Sequence, residues 1–378
     1  MRTALIVIGC FAFAALPSAA HSECTWGIFP SPNVGGQDNA LVSVAGSSPS
    51  NVWAVGQYAP DSNPNQTNTL ALHFDGSSWS VVQSPSADTA TSFLGVTTTG
   101  RRAWAVGYGL DPFFSKSLIA AWDGTSWALM PHPRTGVSDL LFSVAALNDH
   151  DVWAVGWTRT ADTVFHTLVE HFDGSAWTVV ETPDPGRYGN ELYGVRAFAS
   201  NDVWAVGQKL TGSAPDAALV LHWDGSCWQE VVSPGLSGAG TELLAVAGLS
   251  SSRLFAVGES QDYVESSRTF AVRSTGPRWS IQPSGNVGPG ENHLVAVAVD
   301  SRGVPWAVGH SADADDKNAQ TLVERNRGRD WEVVTSPNGT DDGNNMLGGI
   351  AAIGRDLWAV GSYDGANAVQ TLILRCSQ

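Results

Sequence analysis

Beyond its first twenty residues the chain has no apolar run approaching the ~18 residues of a membrane-crossing helix, which excludes a helical span in the body of the protein. Basic residues are also scarce. Twenty Lys and Arg stand against 36 Asp and Glu, for a formal charge of −16. Nucleic acid and anionic membrane surfaces both call for a basic face, so neither is expected as a partner. Charged residues of both signs make up only 15% of the 378 positions. Apolar recurrence at helical spacing is missing throughout. Cysteine is limited to four residues, too few for a disulfide-framework fold.

What is plentiful is glycine, with 40 residues, and tryptophan, with 16. That mixture predicts a compact β-rich protein with many tight turns. The first residues have the layout of an export signal: Arg2, an apolar stretch from Ala4 to Leu16, then Pro17-Ser18-Ala19-Ala20 before His21. Val7-Ile8-Gly9-Cys10 loosely matches the segment that precedes a lipidated cysteine, but the apolar run continues past it, which favours ordinary cleavage. The expected organisation is a signal peptide over 1–20 and a single domain over 21–378, secreted or periplasmic and monomeric. Cys24, Cys227 and Cys376 then meet an oxidising compartment.

The domain is repetitive. "WAVG" begins at Trp53, Trp104, Trp153, Trp204, Trp306 and Trp358, with "FAVG" at Phe255, at spacings of 49 to 52 residues. Hairpin sequences such as "FDGSSW", ending at Trp79, and "WDGTSW", ending at Trp127, follow the copies, and a Leu-x-x-Val element precedes them. Asp-Gly between two alternating runs is a strong hairpin signal, because both turn residues must tolerate positive φ. Four short antiparallel strands in about 50 residues is the period of a propeller blade. The expected fold is all-β, a seven-bladed β-propeller with four antiparallel strands per blade.

The ends of the chain fit this register. Cys376-Ser377-Gln378 stands where the other copies enter the Asp-Gly hairpin, and Cys24-Thr25-Trp26 stands where they leave it. The N-terminal strand, about 24–32, is therefore expected to complete the seventh blade. Cys24 and Cys376 are expected to form a disulfide in place of the missing turn.

Fifteen of the 16 Trp residues occupy repeated positions, so packing between blades accounts for them. His73, His171 and His222 share one such position with Arg273, Arg325 and Arg375, which marks them as structural. The small residues Ser43, Gly95, Ser143, Gly194, Ala245, Ala296 and Gly349 suit strands crowded about an axis. The chain resembles secreted bacterial seven-bladed propellers of the kelch, Asp-box and tectonin-like kind. It departs from each pattern: the kelch double glycine is missing, and the Asp-Gly turn is one residue shorter than a sialidase Asp-box. The resemblance therefore implies architecture and carries over no functional residues.

Function is expected on the face of long, variable loops. The residue after each "AVG" differs from copy to copy: Gln57, Tyr108, Trp157, Gln208, Glu259, His310 and Ser362. Trp157 is the one Trp outside the repeat and, with Tyr108, suits stacking on a sugar or aromatic ligand. Loop packing is the plainer reading of Trp157. The acidic stretches "HSADADDK" (310–317) and "GTDDGNN" (339–345) offer oxygen ligands for Ca²⁺ or are simply solvated loops; no other cofactor is indicated. Asn345 shares a channel-mouth position with Asn39, Thr91, Asp139, Asn190, Thr241 and Asn292, which could hold water or an ion or cap the first strands. No nucleophile motif or zinc-ligand spacing occurs. Glu191, Glu242, Glu259, Asp262, Glu265 and Arg187 share the loop face, so the alternative is a polysaccharide hydrolase or lyase with paired carboxylates. The leading expectation is a binding module for carbohydrate or protein.

Overall fold

The computed structural model describes residues 24–86, 90–111, 114–161, 163–212, 215–261, 267–276, 278–315 and 317–377. The leader with Cys10, and Asp262, Glu265 and Asp316, lie outside them. All regular structure among the described residues is β. Twenty-eight strands form five four-stranded sheets and one eight-stranded sheet. The eight-stranded sheet is two sets of four joined through a single parallel pair, Phe165 with Gly189. Each set runs from a long inner strand of 8 to 11 residues to an outer strand of only 2 to 4. Each inner strand packs on the inner strand of the next set, and the last, Asn345–Ile353, packs on the first, Asn39–Ser48. The sets thus close in a ring, a β-propeller, and each is called a blade below.

The second strand of each blade is its buried centre. The aromatic residues that open the seven "AVG" motifs are at most 5% exposed. Each faces the next blade: Trp53 meets Trp127 with ring centroids 5.1 Å apart, and Trp153 meets Trp228 at 5.7 Å. Truncating one such indole would cost about 3–5 kcal/mol. The shared histidine and arginine position lies on top of these rings. His171 and His222 stack on Trp153 and Trp204 at 4.1 Å, while Arg325 and Arg375 hold their guanidinium groups 5.3 and 5.0 Å from Trp306 and Trp358. Both side chains supply a flat or cationic cap to the ring, which is why they interchange.

The turn aspartates Asp75, Asp123, Asp173 and Asp224 each accept hydrogen bonds from two backbone N–H groups and a hydroxyl two residues on. Those bonds hold their carboxyls down at about 2. Cys227 lies in the last of these turns, exposed, and its backbone N–H is one of the donors.

The two termini share one sheet. Gly27 and Ile28 pair with Arg375 and Leu374, so the first strand of the chain is the outer strand of the last blade. Trp26 takes the place of the other outer-strand tryptophans, 6.0 Å from Trp306 of the preceding blade. The ladder here is Gly27–Ile28, narrower than the span 24–32 read from sequence. Pro30 and Pro32 have no N–H to give to a ladder, and side chains take over: Ser31 bonds Thr371 at 2.8 Å, and Asn33 bonds Gln370 at 2.7 Å. Cys24 and Cys376 form a disulfide with Cα atoms 5.6 Å apart. No helix among the described residues is long and apolar enough to cross a membrane.

Replacing both Cys24 and Cys376 by Ser should destabilise the fold by on the order of 2–5 kcal/mol, because the unfolded chain is then no longer closed into a loop. The measurement is the denaturant midpoint, with reductant expected to shift wild type and leave the double variant alone. An unchanged midpoint in both would mean that strand pairing alone closes the ring.

Candidate functional site

In every blade the inner strand slips by one residue against the second strand, between Leu41 and Ser43 in the first blade and at the matching place in the others. Such a bulge leaves one residue unpaired and re-aims its side chain. Val42, Leu94, Phe142, Tyr193, Leu244 and Val295 therefore line the axial channel, within a cavity of about 540 Å³. Five of these six are apolar. Tyr193 alone carries a polar group, and its ring meets Phe142 edge-on at 5.0 Å.

The slip also sets the residue after each "AVG" opposite a fixed inner-strand partner. The pairs are Gln57 with Ala40, Tyr108 with Ser92, Trp157 with Leu140, Gln208 with Glu191, Glu259 with Glu242, His310 with His293, and Ser362 with Met346. Both members of the pair are polar in the second blade, where they are two hydroxyls, and in the fourth, fifth and sixth blades, which are neighbours. A second cavity of about 680 Å³ opens at these three neighbours, lined by Tyr188, Gln208, Asp216, Glu242, Glu259 and Gln261 among others. Glu242 lines both cavities.

The groups form one network. The Tyr193 hydroxyl donates to Glu191, and the Gln208 amide donates to the same carboxylate and to the Tyr193 oxygen, each at 2.7 Å. Burial, then the Glu191 charge, raise the Tyr193 hydroxyl far above its usual range, so it stays a donor. Glu259 is hydrogen-bonded to His293 Nδ1, and His293 Nε2 lies 3.4 Å from Glu291. Burial works against the His293 cation, but the bonds and charges of Glu259 and Glu291 prevail and raise its pKa. His310 stacks on His293 with centroids 4.6 Å apart. Burial, and then the charge on His293, push His310 down to about 4, so it is neutral. Glu242 rises to about 7, first through burial and then through the charges of Glu259 and Glu191. Glu242, raised to about 7, thus faces Glu259, which is hydrogen-bonded to a histidine, across the strand pair. A carboxyl raised in this way beside a second carboxyl can bind polar ligands or serve acid–base chemistry.

Of the seven residues singled out by position, the structure brings Gln208, Glu259 and His310 together. Trp157 packs edge-on against Phe165 of its own blade at 4.9 Å. Tyr108 is half-buried on the second blade, and its hydroxyl is raised by burial. Gln57 and Ser362 pair with Ala40 and Met346, away from the charged groups. Arg187 stands 5.6 Å over the ring of Tyr188, an exposed side chain at the edge of the second cavity that sequence reasoning passed over. Tyr193, His293 and Glu291 were passed over too. The signal for Tyr193 was available, since it is the lone polar residue at the bulge position of six copies.

The polar ring at the channel mouth staples loops between blades. Asn39 binds the backbone of Val34 and Gln37, Asn190 that of Gly186, and Asn345 that of Gly339, Thr340 and Gly343. The acidic loops are likewise turned on themselves. Asp313 accepts the N–H groups of Asp315 and Lys317 and the Asn318 amide. Among the described residues no group of three or more His, Cys, Asp or Glu is disposed to share a metal ion.

No protein-family model matches the chain, and no curated protein sequence matches it. Solved structures do. YCF48 in complex with a D1 peptide is 13% identical with a TM-score of 0.53, covering 96% of this chain and 98% of that one. The WD40 β-propeller domain of Doa1 is 10% identical with a TM-score of 0.55, covering 93% and 97%. Trypanosoma rangeli sialidase is 11% identical with a TM-score of 0.50, covering 90% of this chain and 55% of that one. Likeness at this level of identity establishes the β-propeller fold and nothing finer.

Glu242, and the buried Glu324 that accepts from Ser284, both stand at about 7 against an ordinary 4.5. A raised folded-state value adds stability that is complete below the unfolded-state value and is lost as pH rises through the folded one. The contribution of these two carboxyls to stability should therefore fall as pH rises from 4.5 to about 7, opposing the gain from His310, whose lowered value adds stability over the same interval. Glu242→Gln should remove part of that slope, and Glu242→Gln with Glu324→Gln more of it. Thermal melts across this interval check the sign; parallel curves for all three proteins would refute the raised values.

Proposed function

We propose that the protein is an exported binding module that takes a carbohydrate chain at the channel mouth of its fourth to sixth blades. The observation that carries this is the concentration of polar groups on three neighbouring blades, around a cavity edged by the exposed ring of Tyr188. Sugars are recognised by stacking an apolar ring face on an aromatic side chain while hydroxyls bond to nearby polar groups. Tyr188 supplies the platform. Glu242 in its acid form donates a hydrogen bond, while Glu259 and the Gln208 carbonyl accept. Among the described residues no hydroxyl or amide bonds to the Glu242 carboxyl, which leaves it available to a ligand. The Cys24–Cys376 bridge suits an oxidising compartment and supports the export reading. Peptide binding through the same mouth remains within the wider class of binding modules.

A second reading has its own observation. Glu242, raised to about 7, pairs with Glu259 across the strands, and a glycoside hydrolase uses such a pair of carboxyls, here with Glu242 as general acid and Glu259 as base or nucleophile. Binding and hydrolysis share the ligand class and differ in turnover.

A glycan array followed by calorimetry tests the proposal. Tyr188→Ala and Glu242→Gln should each weaken the bound glycan by about tenfold or more, while Trp157→Ala should leave it within about twofold. Silence on the array, or affinity indifferent to Tyr188 and Glu242, overturns it. Product released by wild type and absent with Glu242→Gln or Glu259→Gln establishes the hydrolase instead.

A further inference from the structure

The inner strands carry a second departure from the repeat, at the other end of the channel. The residue paired with the aromatic of the "AVG" motif is Ala45, Thr97, Ala145, Ala247, Ala298 and Ala351 in six blades. In the fourth blade it is Arg196, opposite Trp204. Small side chains suit a level where seven strands crowd together, so a guanidinium there has no packing rationale. It lies five residues beyond Glu191 on the same strand, about 16 Å from the acidic mouth.

At this level the channel holds a cavity of about 580 Å³, lined by Arg196 with Thr97, Thr98, Ser301 and apolar side chains such as Val195, Leu249 and Ile353. The guanidinium is solvent-accessible within these walls and rests 5.3 Å over the ring of Phe198, which orients its plane. Among the described residues it has no ion pair and no hydrogen bond. Burial alone draws its pKa down, with no charged neighbour contributing. The carboxylates of this face are engaged elsewhere: Asp202 with Trp204 and His222, Asp151 with Trp153 and His171, Asp300 with Arg302, and Asp356 with Arg375. Arg196 thus stands in the channel without an acidic partner among the described residues, in a chain with 36 acidic side chains.

We propose that Arg196 and the cavity around it form a binding site for an oxyanion, a carboxylate or phosphate group that enters from the face of the short turns. A guanidinium presents its donors in a planar fork that matches both anions. Arg196 lies toward the short-turn end of the channel, beside the cavity that opens there, so that face is the route of entry.

The test is calorimetric titration of the full chain with sodium phosphate and, separately, sodium acetate, against sodium chloride at matched ionic strength. Wild type should bind at least one of the two saturably, and the pair of titrations tells phosphate from carboxylate recognition. Arg196→Ala installs the residue that five other blades carry at this position, so the fold should tolerate it, and binding should weaken by about tenfold or more. Arg196→Lys, which keeps the charge and loses the fork, should fall between. On wild type alone, the bound anion should protect Arg196 from phenylglyoxal, read by peptide mass spectrometry. Absence of saturable binding by wild type, equal binding by Arg196→Ala, or modification indifferent to the anion each overturns the proposal.

Discussion

The structure depends on a contact between a glycine and a carbonyl oxygen, made seven times. Where each inner strand slips, the carbonyl of the residue before the slip is driven against the glycine of "AVG". A Cβ on Gly56 would stand 2.1 Å from the Ala40 oxygen, and one on Gly258 would stand 2.2 Å from the Glu242 oxygen. No side chain survives at that distance. The glycine is therefore fixed by the bulge, and the bulge in turn fixes what surrounds the channel. It swings Phe142, Tyr193 and their counterparts into the lumen, and it sets Glu242 beside Glu259 and His293 beside His310. The same crowding keeps the next position small: a Cβ on Gly194 would lie 3.0 Å from the Leu244 oxygen of the neighbouring blade. The most repetitive feature of the fold thus positions its least repetitive side chains.

The fold was legible because its signals recur. One Asp-Gly hairpin is a weak statement, whereas copies of "WAVG" at near-constant spacing, each followed by such a hairpin, admit few architectures. The pairing of Cys24 with Cys376 followed from aligning the last copy against the others, and it needed no knowledge of how blades pack. The site was legible only in part. Ring position singled out Gln208, Glu259 and His310 but gave equal weight to Trp157 and Gln57, because sequence does not say which blades carry a polar partner on the strand alongside. That partner lies across a register slip, and a slip breaks the alternation from which facing side chains are read. Tyr193 stayed hidden for the same reason: in a regular strand its side chain would point between blades.

Charge follows a similar logic. The total of −16 is spread over turns and loops, and it says little about the pocket. Four turn aspartates are held fully ionised by their own hairpins, and Asp313 is locked into its loop, so these acids stabilise local backbone. Glu242 differs in kind. It sits between two cavities beside two other carboxylates, and burial together with their charge disfavours its ionised form. His293 is pushed the other way by Glu259 and Glu291, while burial, then the charge on His293, lower His310 to about 4. The pocket balances its charge by protonation, with no arginine or lysine in its network, and so keeps hydrogen-bond donors and acceptors side by side.

A ring of near-identical units offers an internal control that most folds lack. Every blade must solve one packing problem, so a residue common to the blades is answering to packing. Stacked histidines and caged tryptophans belong to that class despite their chemistry. A residue that departs from its counterparts has to be explained separately, and the explanation is either a local contact or a ligand. Trp157 finds its contact in Phe165. Tyr193 meets Glu191, and Arg196 rests over Phe198, contacts that the counterparts in other blades do not make. Glu242 and Tyr193 share the loop-side mouth, and Arg196 stands at the far end of the same channel. The departures thus fall along one axis, where the ring's symmetry is broken: carboxyls gather at the loop-side mouth and a single guanidinium stands toward the other end.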